Sequence, residues 1–266
     1  MYTKLARIAE IAIEKPNDKF TSLIHLVNKE MLMECHKLLE KNKATGIDGI
    51  TKEEYGAKLE ENIEDLLGRM KTFKYRPRPV KRVYIPKAGS VEKRPLGIPS
   101  YEDKLVQMSI NKIIMQIYEQ DFLDCSFGFR PNIGCHDALK QLDVYLSNRN
   151  VNYVVDADIK GFFNNVDHEW MMKFLNHRIA DKSLLRYISR FLKAGVMENG
   201  SFEKSEAGTP QGGVISPILG NVYLHYALDL WFEKVVKKNC KGEAYIVRYC
   251  DDCAPRRRVQ TTRRVA

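Results

Sequence analysis

The 266 residues, 44% hydrophobic and 29% charged, supply apolar material for one large core or two intimately joined ones. No apolar run approaches the ~20 residues of a membrane span, and the opening MYTKLARIAEIAIEKP lacks the apolar centre and small-residue cleavage site of a signal peptide, so a soluble cytoplasmic chain with no membrane partner is expected. The 43 Lys+Arg against 34 Asp+Glu leave a formal charge of +9, which favours a polyanionic partner without identifying one.

Helical signals dominate the first third. Thr51-Lys52-Glu53-Glu54 is a capping box, and Leu59, Ile63, Leu66, Leu67 and Met70 follow at helical spacing, which predicts one helix of about 20 residues. Tyr75-Arg76-Pro77-Arg78-Pro79 ends it, because proline fixes its own φ and biases the residue before it towards extended backbone. A strand over residues 81–85, a turn at 86–90 and a second strand over 94–98 come next. Ser100 and Asp103 open a long helix whose Leu105, Val106, Ile110, Ile113, Ile114, Ile117 and Tyr118 make a broad apolar face, read as core.

Phe127-Gly128-Phe129-Arg130-Pro131 interrupts, and a helix spans roughly 136–147. Asn152 to Ile159 is β-branched and aromatic before turning acidic, the pattern of a buried strand ending at a functional edge. Helices from about His168 and Ser183, a loop at Gly208-Thr209-Pro210-Gln211-Gly212-Gly213, a long helix over 214–238 with Pro217 in its first turn, and a strand over 244–249 complete the series. The six cysteines show no framework spacing, so reduced thiols are expected; Cys250 and Cys253 form a C-x-x-C with no second pair to complete a zinc tetrahedron.

Two strands deliver carboxylates at their ends, Asp156 and Asp158 on one, Asp251 and Asp252 on the other. Side chains alternate faces along a strand, so Asp156 and Asp158 share a side and only one of the adjacent pair points straight at them. Paired, such strands concentrate negative charge that a hard cation relieves, and two Mg²⁺ ions about 3.5–4 Å apart support in-line displacement at phosphorus. Taken singly, each aspartate also reads as a solvated turn residue.

The flanking residues resemble reverse transcriptases, and the group II intron branch of reverse transcriptases and maturases in particular. Asp158-Ile159-Lys160-Gly161-Phe162-Phe163 is similar to the first catalytic block, Tyr249-Cys250-Asp251-Asp252 to the Tyr-x-Asp-Asp box, and the Gly208 to Leu219 run to the block between them. Gly46-Ile47-Asp48-Gly49, Arg94-Pro95-Leu96-Gly97-Ile98-Pro99 and the Phe127 to Pro131 motif also match, in order. The resemblance implies an α+β right-hand polymerase, with helix-rich fingers and a small antiparallel palm sheet. It makes Asp158 and Asp251 the principal metal ligands, with Asp252 supporting and the Ile159 carbonyl as an extra oxygen, for two Mg²⁺ ions that Mn²⁺ could replace. Asp156 is read as a strand-end aspartate beside a cation rather than as catalytic.

By the same resemblance Phe163 is the aromatic gate that excludes a 2′-hydroxyl, Lys87 and Arg94 close on the triphosphate, and Gln211 lies against the nucleotide. Lys71, Lys74, Arg76, Arg78, Lys81 and Arg82, interleaved with Phe73 and Tyr75, suit a template backbone, or else form a solvated charged face. The implied partners are an RNA template, intron RNA, a DNA or RNA primer and dNTPs, in a bacterial cytoplasm with nucleoid or ribonucleoprotein association; a homodimer is left open. Asn164 departs from the branch pattern, which often has Asp there.

The expected domains are a helical extension over 1–45, fingers mainly over 46–150, palm over 151–252, and an arginine-rich tail over 253–266 in place of the rest of the palm and the thumb. That tail is expected to be a shifted reading frame, since codons for it exist whose alternative frame reads as a hydrophobic palm hairpin; sequencing the gene tests this. The alternatives kept are an RNA-binding remnant without polymerase activity, and a reverse transcriptase of another retroelement, defence or CRISPR system.

Overall fold

A computed structural model of the chain describes residues 2–86, 93–149 and 151–257. In chain order the elements are α1 (Tyr2–Glu14), α2 (Lys29–Leu38), α3 (Lys52–Gly56), α4 (Leu59–Lys71), β1 (Val80–Pro86), β2 (Lys93–Ile98), α5 (Tyr101–Asp121), α6 (Cys135–Asn148), β3 (Tyr153–Val154), β4 (Ala157–Asp158), α7 (Phe162–Asn165), α8 (His168–Arg178), α9 (Lys182–Leu192), β5 (Val196–Glu198), β6 (Ser201–Glu203), α10 (Ser216–Leu224), α11 (Lys237–Asn239), β7 (Ala244–Tyr249) and β8 (Asp252–Arg257). They form two compact units that interleave in sequence, Met1–Gln120 with Phe163–Ile218, and Asp121–Phe162 with Leu219–Ala266.

The first unit is built around α5. Its predicted apolar face is core: Leu105, Val106, Ile110, Ile113, Ile114, Ile117 and Tyr118 are all fully buried, together with Ile63 and Leu66 of α4 and Leu184 and Ile188 of α9. Polar atoms caught inside are matched, as burial demands. Asp103 accepts from the Tyr75 hydroxyl, from Ser100 Oγ at 2.6 Å and from the Arg78 amide at 3.0 Å. Asp181 caps α9 and also receives the Leu23 and Ile24 amides at 2.6 and 2.8 Å. A mixed sheet runs β2-β1-β5-β6, with β1 parallel to β5 and the other pairs antiparallel.

The helix predicted from Thr51 is two helices. Its capping box forms on both sides, but Lys58 leaves the helical region (φ −129°, ψ 44°), and Asn62 Nδ2 donates to the Tyr55 carbonyl at 2.9 Å, the acceptor a continuous helix would have satisfied from its own backbone. The β5–β6 hairpin was not anticipated. It turns on Asn199 and Gly200, both at positive φ (49° and 82°), which is the Asn-Gly signature of a tight hairpin.

The second unit holds an all-antiparallel sheet with β8 at its centre, β7 on one side and β3 and β4 on the other. Alternation along β7 divides its side chains: Ala244 and Ile246 pack with Phe232 and Cys253, while Val247 packs with Phe127 and Ala138. Tyr245 stacks on Tyr145 of α6 at 4.3 Å. The helix expected over 214–238 begins at Ser216 and passes through two π-helical turns, His225–Asp229 and Phe232–Val236. The single buried strand expected over 152–159 is instead two short strands, Tyr153–Val154 and Ala157–Asp158, and Tyr153, Val154 and Val155 are exposed. The first residues of the arginine-rich segment do not trail off, since their backbone makes β8.

Candidate active site

The hairpin β7–β8 turns at Cys250 and Asp251, and the register of β8 against β4 sets Asp252 directly opposite Asp158. The strand alternation anticipated one aspartate of the pair facing Asp158; it is Asp252, the residue given the supporting role, while Asp251 occupies the turn. Partial burial, and then the negative charges of Asp251, Asp158 and Asp156, push the Asp252 carboxyl above the usual aspartate range. An all-oxygen set that disfavours its own ionisation fits a hard divalent cation, and Mg²⁺ takes only one or two carboxylates, the rest of its shell being water and phosphate. Among the described residues no three acidic, histidine or cysteine side chains converge as one ion-sized cluster, and the register brings Asp158 and Asp252 face to face with Asp251 in the adjoining turn. The Ile159 carbonyl, expected as an extra ligand, accepts the Phe162 amide at 3.2 Å. The Cys253 thiol turns inward, towards the Ala157 carbonyl at 3.4 Å.

Beneath this turn lies a buried network that the sequence did not disclose. Arg248 is fully buried and bidentate to Asp229, through Nε at 2.8 Å and Nη2 at 2.6 Å. It also donates to Asn221 Oδ1 at 3.0 Å, Ser126 Oγ at 2.6 Å and the Cys250 carbonyl at 2.9 Å. Asn221 reaches on to the Gly128 carbonyl at 2.7 Å. Gly128, of the Phe-Gly-Phe-Arg-Pro motif, is glycine for a packing reason: a Cβ there would lie 2.4 Å from the Cys250 nitrogen.

In the first unit, three of the sequence motifs meet through their backbones. The Gly97 amide donates to the Gln211 carbonyl at 2.6 Å, and the Thr209 amide to the Phe163 carbonyl at 2.7 Å. Gly208 has a φ of +83°, and a Cβ on it would sit 2.8 Å from the carbonyl oxygens of Phe163 and Asn164. Phe163 and Gln211 thereby line one pocket of about 220 Å³ with Arg82, Glu203 and Thr209. Two polar atoms at it, Gln211 Oε1 and Arg82 Nε, are buried without a hydrogen-bond partner. Arg94 pairs with Ile85 in the β1–β2 ladder and is exposed; Lys87 lies outside the described residues.

The basic stripe divides. Lys71, Lys74, Arg76, Arg78 and Lys81 are exposed, Arg78 lying 3.8 Å from Asp48, whereas Arg82 is partly buried 3.7 Å from Glu198. Tyr75 is core and unavailable for base stacking, a correction to the interleaved-aromatic reading that follows from its bond to Asp103. Sequence reasoning missed two arginines of α9. Arg186 lies over the Phe73 ring at 4.3 Å and Arg190 over Tyr187 at 5.3 Å. Burial, and then repulsion from Arg76, lower the Arg190 pKa, the signature of crowded positive charge.

Residues 85–254 match the family described as reverse transcriptase (RNA-dependent DNA polymerase). The chain belongs to the reverse transcriptase family. Within it, the chain is 39% identical over 222 residues to the group II intron-encoded protein LtrA of Lactococcus lactis subsp. cremoris, a match covering 83% of this chain and 37% of that protein. It is 32% identical to Protein YkfC of Escherichia coli (82% of this chain, 59% of that one). It is 31% identical to the putative COX1/OXI3 intron 2 protein of Saccharomyces cerevisiae (87% and 27%). The chain thus spans little more than a third of LtrA's length. Among solved structures, a chain of a partial Cas6-RT-Cas1–Cas2 complex shares the fold, with a TM-score of 0.52 at 16% identity over 89% of this chain and 38% of that one. The α+β reverse transcriptase fold, with its small antiparallel sheet, is the one expected from the sequence. No described helix is long and apolar enough to cross a membrane.

Proposed function

We propose that this chain is the nucleotidyl-transferring part of a group II intron reverse transcriptase, copying an RNA template into DNA from dNTPs on a DNA or RNA primer. The observation that carries the reading is the register that sets Asp158 across from Asp252 beside the Tyr249-Cys250-Asp251-Asp252 turn. Asp158, Asp251 and Asp252, with the Ile159 carbonyl, hold two Mg²⁺ ions, or Mn²⁺ in their place. When bound, such ions stabilise the attacking and leaving oxygens of an in-line displacement.

The rest is positioning. Phe163 bars a ribose 2′-hydroxyl by steric clash. Gln211, whose side-chain oxygen is buried without a partner, hydrogen-bonds the nucleotide. Arg94 and Lys87 steady the triphosphate. Lys71, Lys74, Arg76 and Lys81, joined by Arg186 and Arg190, follow the template backbone, and the same face supports intron RNA binding as a second activity, a reading favoured by the intron-encoded relatives.

Primer extension on an RNA template tests the proposal. Mg²⁺-dependent extension with dNTPs, lost in Asp158→Ala and absent with ribonucleotides, is the expected result. RNA binding without extension by the native chain overturns it.

A further inference from the structure

We infer that Arg248 is a positioning residue for the carboxylate-bearing turn, holding the Cys250 peptide so that Asp251 and Asp252 are presented together. The inference rests on the polymerase reading and adds the part that orients its metal-binding turn.

A guanidinium has five N–H donors, and all five of Arg248 are committed: one from Nε and one from Nη2 to Asp229, one from Nη2 to Ser126, and two from Nη1 to Asn221 and the Cys250 carbonyl. Its backbone is fixed as well, the amide donating to the Cys125 carbonyl at 2.7 Å and the carbonyl accepting from the Phe127 amide at 2.9 Å. Both charged partners are fully buried. A buried ion pair is a poor device for stability, because apolar replacements of like volume are commonly as stable or more so. What an apolar pair cannot do is grip a carbonyl.

The gripped carbonyl belongs to Cys250, a non-glycine residue at φ +59° and hence in the strained left-handed region. The peptide plane that follows Cys250 leads directly into Asp251. Rotation of that plane moves the two carboxylates relative to Asp158, so a rigid hub beneath it converts a strained turn into a fixed one. Asn221 reinforces the hold by binding Arg248 on one side and the Gly128 carbonyl on the other. Gly128 in turn packs against Cys250.

The test compares the full native chain with Arg248→Met/Asp229→Leu, which replaces the ion pair by apolar volume, and with Arg248→Lys, which keeps a charge opposite Asp229 but has too few donors for every partner. Thermal midpoint, Mn²⁺ affinity by electron paramagnetic resonance of the free ion, and primer-extension kcat and KM for dNTP are measured on each. The double variant is expected to melt near the native chain, to bind Mn²⁺ at least about tenfold more weakly, and to lose roughly 100-fold in kcat with KM little changed. Arg248→Lys is expected to fold and to show the same losses in smaller measure.

A folded double variant with native Mn²⁺ affinity and kcat overturns the inference. If the double variant does not fold, native values in Arg248→Lys overturn it. If the native chain itself extends no primer, the polymerase reading fails, and the Mn²⁺ measurements still decide the role of Arg248.

Discussion

Gly128→Ala should disable the turn without removing any functional group. A methyl at Gly128 would sit 2.4 Å from the Cys250 nitrogen, 2.5 Å from its Sγ and 3.0 Å from its Cα. Ordinary carbon–nitrogen contact needs about 3.4 Å, so something must move by about 1 Å, and two of the three atoms are backbone that cannot swing aside. Overpacking of this kind costs about 1–3 kcal/mol, which for a chain of this size is a fall in Tm of roughly 2–12 °C. The larger effect is on chemistry, since a displacement of about 1 Å at a reacting centre lowers rate by roughly 100-fold. Thermal denaturation and single-turnover primer extension on Gly128→Ala read both. Native Tm and native rate together would refute the close approach of the Phe127 to Pro131 motif to the aspartate turn, and with it the account of why that motif carries a glycine.

Gly68→Ala serves as the contrast. Gly68 lies exposed within α4 with nothing within 4 Å of a new Cβ, so alanine should stabilise by roughly 0.5–1 kcal/mol in urea titration, through backbone entropy and helix propensity. Burial pushes the His225 imidazole down to about 4 from 6.5, so the fold favours the neutral ring. Its contribution is complete above pH 6.5 and is lost as pH falls towards 4, roughly 3 kcal/mol over the window; in His225→Gln the urea-derived stability should change much less between pH 7 and 4.5, and an unchanged slope would count against the burial argument. Burial raises the Asp181 carboxyl, but the amides of Leu23, Ile24, Leu184 and Ser183 outweigh it and hold the pKa below 3.8. Asp181→Ala should therefore cost about 2–4 kcal/mol at neutral pH, and because a depressed carboxyl stabilises only while ionised, the gap to the native chain should narrow as pH falls below about 3.8.

What could be read from the sequence depended on whether the cause was local. The α5 face was visible because a 3.6-residue period survives in the letters, and β7 because all of its six residues except Arg248 are β-branched, aromatic or small. The α3–α4 break was invisible, since the capping box and the Leu59 to Met70 spacing are each correct and the interruption depends on where the Asn62 side chain lands. The β5–β6 hairpin is legible in its Asn199-Gly200 pair. Arg248 reads as one more surface cation, and only folding brings Asp229, Asn221 and Ser126 around it. The aspartates were legible by type and order, but which of them faces Asp158 was settled by strand register, a property of two segments far apart in the chain.

That separation has a kinetic consequence. Among the described residues β8 is the only strand of its sheet that touches all the others, and Ala157 of β4 meets Cys253 of β8 across 96 positions of chain. Closing so long a loop must precede any reward from the contacts it allows. The first carboxylate, Asp158, is therefore synthesised and left waiting on an unpaired edge while some ninety further residues are made. A ribosome stalled before β8 would release a chain whose first unit has all of its sequence and whose metal-binding pair has only one half.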